Sequence, residues 1–234
     1  MQATVICPTA NRRAHIPIML KSFLSQTVTD SELIIVDDGV ESVSDLIPVN
    51  PRIRYVRLPN CSDTAPKFYG ASPAGRLSIG SKRNLCCSMA RGEFILHFDD
   101  DDWSAPGRMA HQINHLQRMN AQAMSYYGAL YLNTDTKRLY LFDPQGRCPN
   151  GATFCYRKSF WEQHCFEDQQ LGEDTTFLNA AIQERTAAWL NAEKFMVIRA
   201  HANNSCASAR SMGGLSMPEI GWANLPASFV RDVL

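Results

Sequence analysis

The chain has 234 residues, 45% of them apolar and 20% charged, which is the profile of one globular domain with a sizeable core. Lys plus Arg number 23 and so do Asp plus Glu, so bulk charge draws the chain to neither nucleic acid nor an anionic membrane. Any phosphate it binds has to be gripped by a local site.

Residues 4–7 form a short β-branched run and predict a strand. Apolar positions at Ile16, Met19, Leu20, Phe23 and Leu24 have helical spacing and predict a helix over 16–26. Residues 33–36 are wholly apolar and run into Asp37-Asp38-Gly39, a strand ending in a turn. Alternation over 53–58 predicts a third strand. Residues 60–79 are rich in Pro, Ser, Gly and Ala and read as a long surface loop, of the kind used as a lid or acceptor loop. A helix over 81–90 follows, then a strand over 94–98 that ends in four consecutive aspartates, 99–102, and a helix over 108–120. Beyond it, 125–132 and 138–142 read as a strand pair around Asn133-Thr134-Asp135, and 152–156 as a further strand. A helix over 173–188 and a late strand over 195–199 complete the pattern, and the tail after His201 is expected to order with ligand. Alternating strands and helices predict an α/β fold: a single Rossmann-like, doubly wound domain with a mainly parallel sheet and a smaller mixed region in the second half. Such sheets bind ligands at the carboxyl ends of their strands. Three of those ends here are polar or acidic.

No apolar run of about 18 residues occurs, so no transmembrane segment is expected. The opening MQATVICPT reads as a strand and not a secretory signal. Eight cysteines include no C-x-x-C pair, which favours reduced thiols in a cytoplasmic protein. A zinc site around Cys148, Cys155, His164 and Cys165 is the other reading, and its spacing fits no common ligand pattern.

Four adjacent carboxylates at a strand end repel one another in a partly desolvated place, and a divalent cation relieves that. Oxygen ligands suit Mn²⁺ or Mg²⁺, with a diphosphate completing the shell. Against this stands a solvated acidic loop, with Asp102 capping the turn before Pro106.

The run Thr4-Val5-Ile6-Cys7-Pro8-Thr9-Ala10-Asn11-Arg12, then Ser25-Gln26-Thr27, then Leu33 through Gly39, resembles the opening of family 2 glycosyltransferases. Ser81-Lys82-Arg83-Asn84, Ala90-Arg91-Gly92-Glu93-Phe94-Ile95 and the acidic block resemble that family's second signature, with order and spacing kept. The resemblance covers about the first 120 residues. It implies a GT-A fold, a nucleotide-sugar donor and inversion at the anomeric carbon. It also implies that 1–120 is the nucleotide-sugar-binding half of the domain and 121–234 the acceptor-binding and catalytic-base half.

The same resemblance assigns roles. Pro8, Thr9, Asn11 and Arg12 match positions beside the nucleotide. Ala10 departs from the family, which often has an aromatic residue there to stack on the base. Asp38 matches the base-binding carboxylate, which favours a UDP-sugar, while Asp37 braces the turn. Arg83 is placed to meet the diphosphate or base. Asp99 and Asp100 face the ribose and the metal's surroundings, and Asp101 is the main metal ligand, joined by His201. Gly172-Glu173-Asp174 resembles the family's acidic catalytic motif, with Asp174 as general base and Glu173 as its orienter or alternate. The histidines at 15, 97, 111, 115 and 164 receive no role. Trp103, Trp161 and Trp222 are candidates for a sugar platform, with core packing favoured for Trp161.

The function these residues imply is metal-dependent transfer of a sugar from a nucleotide diphosphate to an acceptor hydroxyl. The acceptor could be a saccharide, a protein or a lipid-linked molecule, the last of which would bring the protein to a membrane surface. A sugar-phosphate nucleotidyltransferase is the alternative enzyme, but it would need a Gly-rich basic loop where Pro8-Thr9-Ala10-Asn11 stands. A non-catalytic nucleotide- or carbohydrate-binding protein is the other alternative.

Overall fold

The structure is a computed structural model, and it describes residues 1–59, 76–142, 150–192, 194–201, 204 and 217–233. The first half lays down four strands, β1 (Ala3–Thr9), β2 (Ser31–Asp37), β3 (Ile53–Arg57) and β4 (Phe94–His97). They lie in the order β3-β2-β1-β4, all parallel. Helix α1 (Ile16–Leu24) follows β1 and starts with Pro17 in its first turn, where the missing N–H is harmless. Helix α2 (Ile79–Met89) precedes β4 and is capped by the Ser78 side chain, which accepts from Ser81 N at 3.0 Å.

Every residue of β1 and β2 is buried, as expected of parallel strands covered on both faces. Alternation then sends Val5, Cys7, Leu33 and Ile35 into one core cluster, with α1 and with α3 (Arg108–Arg118). Ile6, Ile34, Val36 and Ile95 point into the other, against α2 and α5 (Glu173–Gln183). This two-sided packing is what makes the sheet doubly wound.

The second half is built on β6 (Ala123–Asn133). Its first residues pair with β8 (Cys155–Arg157), antiparallel, and with β9 (Ala187–Asn191), parallel. Its last residues pair with β7 (Leu139–Phe142), antiparallel, and with β10 (Met196–Ala200), parallel. The changeover falls at a register shift between Tyr126 and Gly128. Strand β8 also pairs with β4, which joins the two halves into one mixed sheet. Short strands β5 (Trp103–Ser104) and β11 (Glu219–Ile220) border β10 and β7. Helices α4 (Lys158–Gln163) and α6 (Ala227–Val233) complete the elements used below, and Phe229 of α6 packs on Trp103.

Several sequence expectations change. The strand expected over 152–156 is a 3-10 turn at Gly151–Thr153 followed by β8. The helix expected over 173–188 stops at Gln183, and its last residues join β9. Helix α4 and strand β5 carried no clear signal. The lid-like segment at 60–75 and the tail at 205–216 lie outside the described residues. Among the described residues no helix is long and apolar enough to cross a membrane.

Cys7, Cys86, Cys87 and Cys155 are buried free thiols and Cys165 is exposed. Burial pushes the Cys86 thiol up to about 12, so it stays protonated. Cys148 of the zinc reading lies outside the described residues. Among its other members, His164 pairs instead with Glu184 at 2.8 Å.

Candidate active site

A cleft of about 750 Å³ opens along the carboxyl ends of β1 and β4 and the N-terminus of α5. It is lined by Pro8, Thr9, Arg12, Lys82, Arg83, residues 99–102, Glu173 and Asp174, among others. Nine of the twelve residues singled out from the sequence line this cleft, and His201 and Asp38 contact its lining residues Asp101 and Lys82.

The β1 end and the acidic turn are tied directly. The Thr9 hydroxyl donates to Asp100 Oδ2 at 2.6 Å. Burial and the neighbouring Asp101 push Asp100 up to about 7, against the opposing pull of Arg12 and Thr9. Asp99 is also raised, by burial first, with Arg83 opposing.

Asp101 behaves differently. Its Oδ2 accepts from Arg12 Nη1 at 2.8 Å and from Asn204 Nδ2 at 3.1 Å, and lies 3.1 Å from His201 Nε2. Burial alone would raise its pKa, but the His201 contact and the Arg12 charge outweigh that and hold it low. His201 is stacked on His15, with ring centroids 4.7 Å apart. Asp102 is not the cap expected for the turn before Pro106. Its Oδ1 accepts from Arg199 N at 3.0 Å and so fastens the acidic turn to β10.

Two ligand atoms of one octahedral Mg²⁺ at about 2.1 Å, placed at right angles, lie about 3 Å apart. The 3.1 Å between Asp101 Oδ2 and His201 Nε2 fits that pair. No group of three or more His, Cys, Asp or Glu side chains is arranged to hold a metal among the described residues. One carboxylate plus diphosphate oxygens and water is a common way to hold such ions, and His201 would add a nitrogen ligand to that oxygen set.

At the β2 end, Asp38 is buried below the cleft. Its Oδ1 accepts from Lys82 Nζ at 2.8 Å and its Oδ2 from Leu77 N at 3.1 Å. Asp37 braces the turn as expected, accepting from Gly39 N at 2.8 Å and from Tyr55 OH at 2.7 Å. Asn11 is a correction. It is exposed, has a φ of 56°, and its Oδ1 accepts from Val40 N at 2.6 Å. It holds the β1 and β2 turns together and does not line the cleft.

Arg83 is buried within α2 and donates through Nη1 to Glu173 Oε1, with Asp99 Oδ1 at 3.7 Å from Nη2. Glu173 is pushed up to about 7, by burial first, with Arg83 opposing and Asp174 adding to the rise. Asp174 next to it is half-buried and faces the cleft. Its Oδ1 accepts from Thr175 N at 2.7 Å. The carboxylate packs on Gly151, where an added Cβ would come within 2.9 Å of Asp174 Cβ and closer still to Oδ2.

None of the three tryptophans lines the cleft. Trp103 is buried against Phe229, Trp161 donates to Asn84 Oδ1 at 2.9 Å, and exposed Trp222 donates to Lys137 O at 3.0 Å. Sequence reasoning also passed over Lys82, Asn204, Tyr131, Phe142 and Asn150. Lys82 stands in the same Ser-Lys-Arg-Asn motif as Arg83, which was the signal available. The others belong to the irregular second half, where no motif marks them.

The family model "Glycosyl transferase family 2" matches residues 4–64. An Escherichia coli protein proposed as a colanic acid biosynthesis glycosyl transferase is 28% identical over 155 residues, 62% of this chain and 50% of that one. Chondroitin synthase of Pasteurella multocida is 30% identical over 108 residues, 44% of this chain and 10% of that one. This chain spans half or less of the length of these curated relatives. Among solved structures, S. aureus TarS 1-349 in complex with UDP superposes with a TM-score of 0.64 at 16% identity, covering 85% of this chain and 60% of that one. Mannosyltransferase PcManGT from Pyrobaculum calidifontis, in complex with GDP-Man and Mn²⁺, gives 0.63 at 15% identity, covering 87% and 58%. The opening segment thus resembles glycosyl transferase family 2, as do the named relatives over part of their length, and the shared architecture gives this chain the GT-A fold.

Proposed function

We propose that the chain transfers a sugar from a nucleoside diphosphate donor, a UDP-sugar by preference, to an acceptor hydroxyl, with inversion at the anomeric carbon. One observation carries the reading: the ends of β1 and β4 and the N-terminus of α5 meet in one cleft, with the acidic turn facing Asp174. TarS bound to UDP and to UDP-GlcNAc, which shares the fold, supports the choice of donor. Residues 1–120 would hold the donor and 121–234 the acceptor and the base.

Pro8, Thr9, Arg12 and Lys82 border the nucleotide in this reading, while Asp38, buried beneath them with its oxygens engaged by Lys82 and Leu77, positions Lys82 and does not meet the base as the sequence suggested. Asp99 and Asp100 lie beside the ribose and diphosphate, with Arg83. Asp101 and His201 would hold Mn²⁺ or Mg²⁺, which when bound takes up charge on the departing diphosphate. The PcManGT complex with GDP-Man and Mn²⁺ is consistent with that ion. Asp174 takes the proton of the acceptor hydroxyl as its oxygen attacks the anomeric carbon. The bond to the diphosphate breaks on the opposite side, and its electron pair leaves with the phosphate oxygen. Glu173, fixed by Arg83, orients Asp174 from the neighbouring position.

The test is thermal stabilisation by a panel of UDP-, GDP- and dTDP-sugars, with Mn²⁺ and with EDTA. A donor at a hundred times its Kd adds about 2.7 kcal/mol, a rise in midpoint of roughly 5 °C or more. No rise with any donor, or a rise that EDTA leaves untouched, would sink the metal-dependent reading. Asp174→Asn should keep the donor-induced rise and lose transfer by about 10²–10⁴-fold. Normal transfer in that variant would remove Asp174 from its role.

A further inference from the structure

Past the acidic turn the cleft continues to the β6–β7 side of the sheet, where Tyr131, Phe142, Asn150 and Ile198 line it. The β6–β7 register pairs Tyr131 with Tyr140 and Ala129 with Phe142, so the rings of 131 and 142 are diagonal neighbours on one face. Their centroids are 5.8 Å apart at 70°, an edge-to-face pair, and both side chains are half-buried. Asn150 donates through Nδ2 to the Tyr131 hydroxyl at 3.2 Å. Its own backbone is pinned at both ends, by Ser125 Oγ at 3.0 Å and by Thr153 Oγ1 at 2.7 Å. The aromatic pair is thus held in position by the protein itself.

Its place follows from the strand order. β1 and β2, with the ends that carry Thr9 and Asp38, lie on one side of β4 and its acidic turn; β8, β6 and β7 lie on the other. A direct displacement needs the incoming hydroxyl opposite the departing diphosphate, which is the β6–β7 side. Tyr131, Phe142, Asn150, Gly151, Ala152 and Ile198, which line that end, include no cation for a phosphate headgroup. They offer ring faces with an amide and a phenol at the edge, which match a pyranose: a C–H face bounded by hydroxyls.

We infer that Tyr131, Phe142 and Asn150 form the acceptor subsite, and that the acceptor is a saccharide whose pyranose ring packs on this aromatic pair. The inference rests on the glycosyl-transfer reading above. The experiment is saturation-transfer NMR with methyl glycosides of glucose, galactose, mannose and N-acetylglucosamine, in the presence of UDP and Mn²⁺. Aromatic aglycones are avoided because they would stack by themselves. The wild-type protein should bind at least one glycoside. Tyr131→Ala and Phe142→Ala should weaken it roughly tenfold, and Tyr131→Phe, which keeps the ring and loses only the phenol, should weaken it less than Tyr131→Ala. The UDP-induced thermal shift should be equal in all four proteins, which controls for folding. A wild-type protein that responds to UDP but binds no glycoside overturns the inference. So do alanine variants that bind glycoside like the wild type, and so does binding to phosphatidylglycerol vesicles in place of glycosides. Glycoside binding that depends on Tyr131, with no response to any nucleotide, would support the subsite and overturn the transfer reading instead.

Discussion

Asp100 is held between opposing forces. Burial and Asp101 favour its neutral form, while Arg12 and the Thr9 hydroxyl favour the charged one, and the balance raises it to about 7. An unfolded Asp titrates near 3.9. The folded value is the higher one, so this group's contribution is fully present below the unfolded value and is lost as pH rises through about 7. Asp100→Asn, which still accepts from Thr9, is therefore expected to raise the metal-free thermal midpoint at pH 8. The gain should shrink toward zero near pH 4. Midpoints at pH 4, 6 and 8 check this, and a gain that grew toward acid would contradict it. At this scale the sequence was informative where a role depends on local context. The four aspartates after an apolar strand marked the cleft, and Gly172-Glu173-Asp174 marked its other wall. It was uninformative where a role depends on a distant partner. Nothing near Asn11 announces Val40, and nothing near Asp102 announces Arg199.

Among the elements, the 3-10 turn Gly151–Thr153 does the work that the sequence assigned to a strand. Ala152 through Tyr156 is β-prone, but the Thr153 hydroxyl donates to Asn150 O at 2.7 Å and its carbonyl accepts from Gln112 Nε2 at 2.6 Å. Tertiary hydrogen bonds overrule local propensity there. The turn is also fixed by His97 Nδ1 against Gly151 O at 2.7 Å, and it supports the N-terminus of α5. Because Asp174 fills the space of a side chain at 151, Gly151→Ala should displace the carboxylate. We expect transfer to fall about 10²-fold with the donor-induced thermal shift unchanged. Equal transfer would show that the contact has slack. The end of α5 shows the same contest. Residues 184–188 can continue a helix, yet Arg185 turns to a φ of 59° and Ala187–Asn191 pairs with β6. The first half was more legible because its parallel strands are buried on both faces and read as plain apolar runs. Strands of the mixed second half are short and bordered by turns whose partners are remote.

For the molecule as a whole, Arg108 is the tie between halves. It is fully buried and donates to the carbonyls of His97 at 2.8 Å and Ala152 at 2.9 Å, to Ser104 Oγ at 2.8 Å and to Gln112 Oε1 at 3.1 Å. One guanidinium thereby joins β4, β5, α3 and the 151–153 turn. Arg108→Met would strip those acceptors of a donor in a dry interior. The expected loss is about 3–5 kcal/mol in urea denaturation, still in a single transition because β8 and β6 continue one sheet. A loss below about 1 kcal/mol would mean that water replaces the guanidinium.

Strand β6 has a consequence best put in genetic terms. Tyr131 faces the cleft while Leu130 and Leu132, on either side of it, are buried in the third core cluster. Strand side chains alternate, so inserting or deleting one codon between Gly128 and Tyr131 would bring the leucines to the cleft and turn the tyrosine inward. Three-base insertions and deletions should therefore be purged from this stretch far more strongly than substitutions. The Asn133–Arg138 turn just beyond it, which carries no residue of the cleft, should accept them.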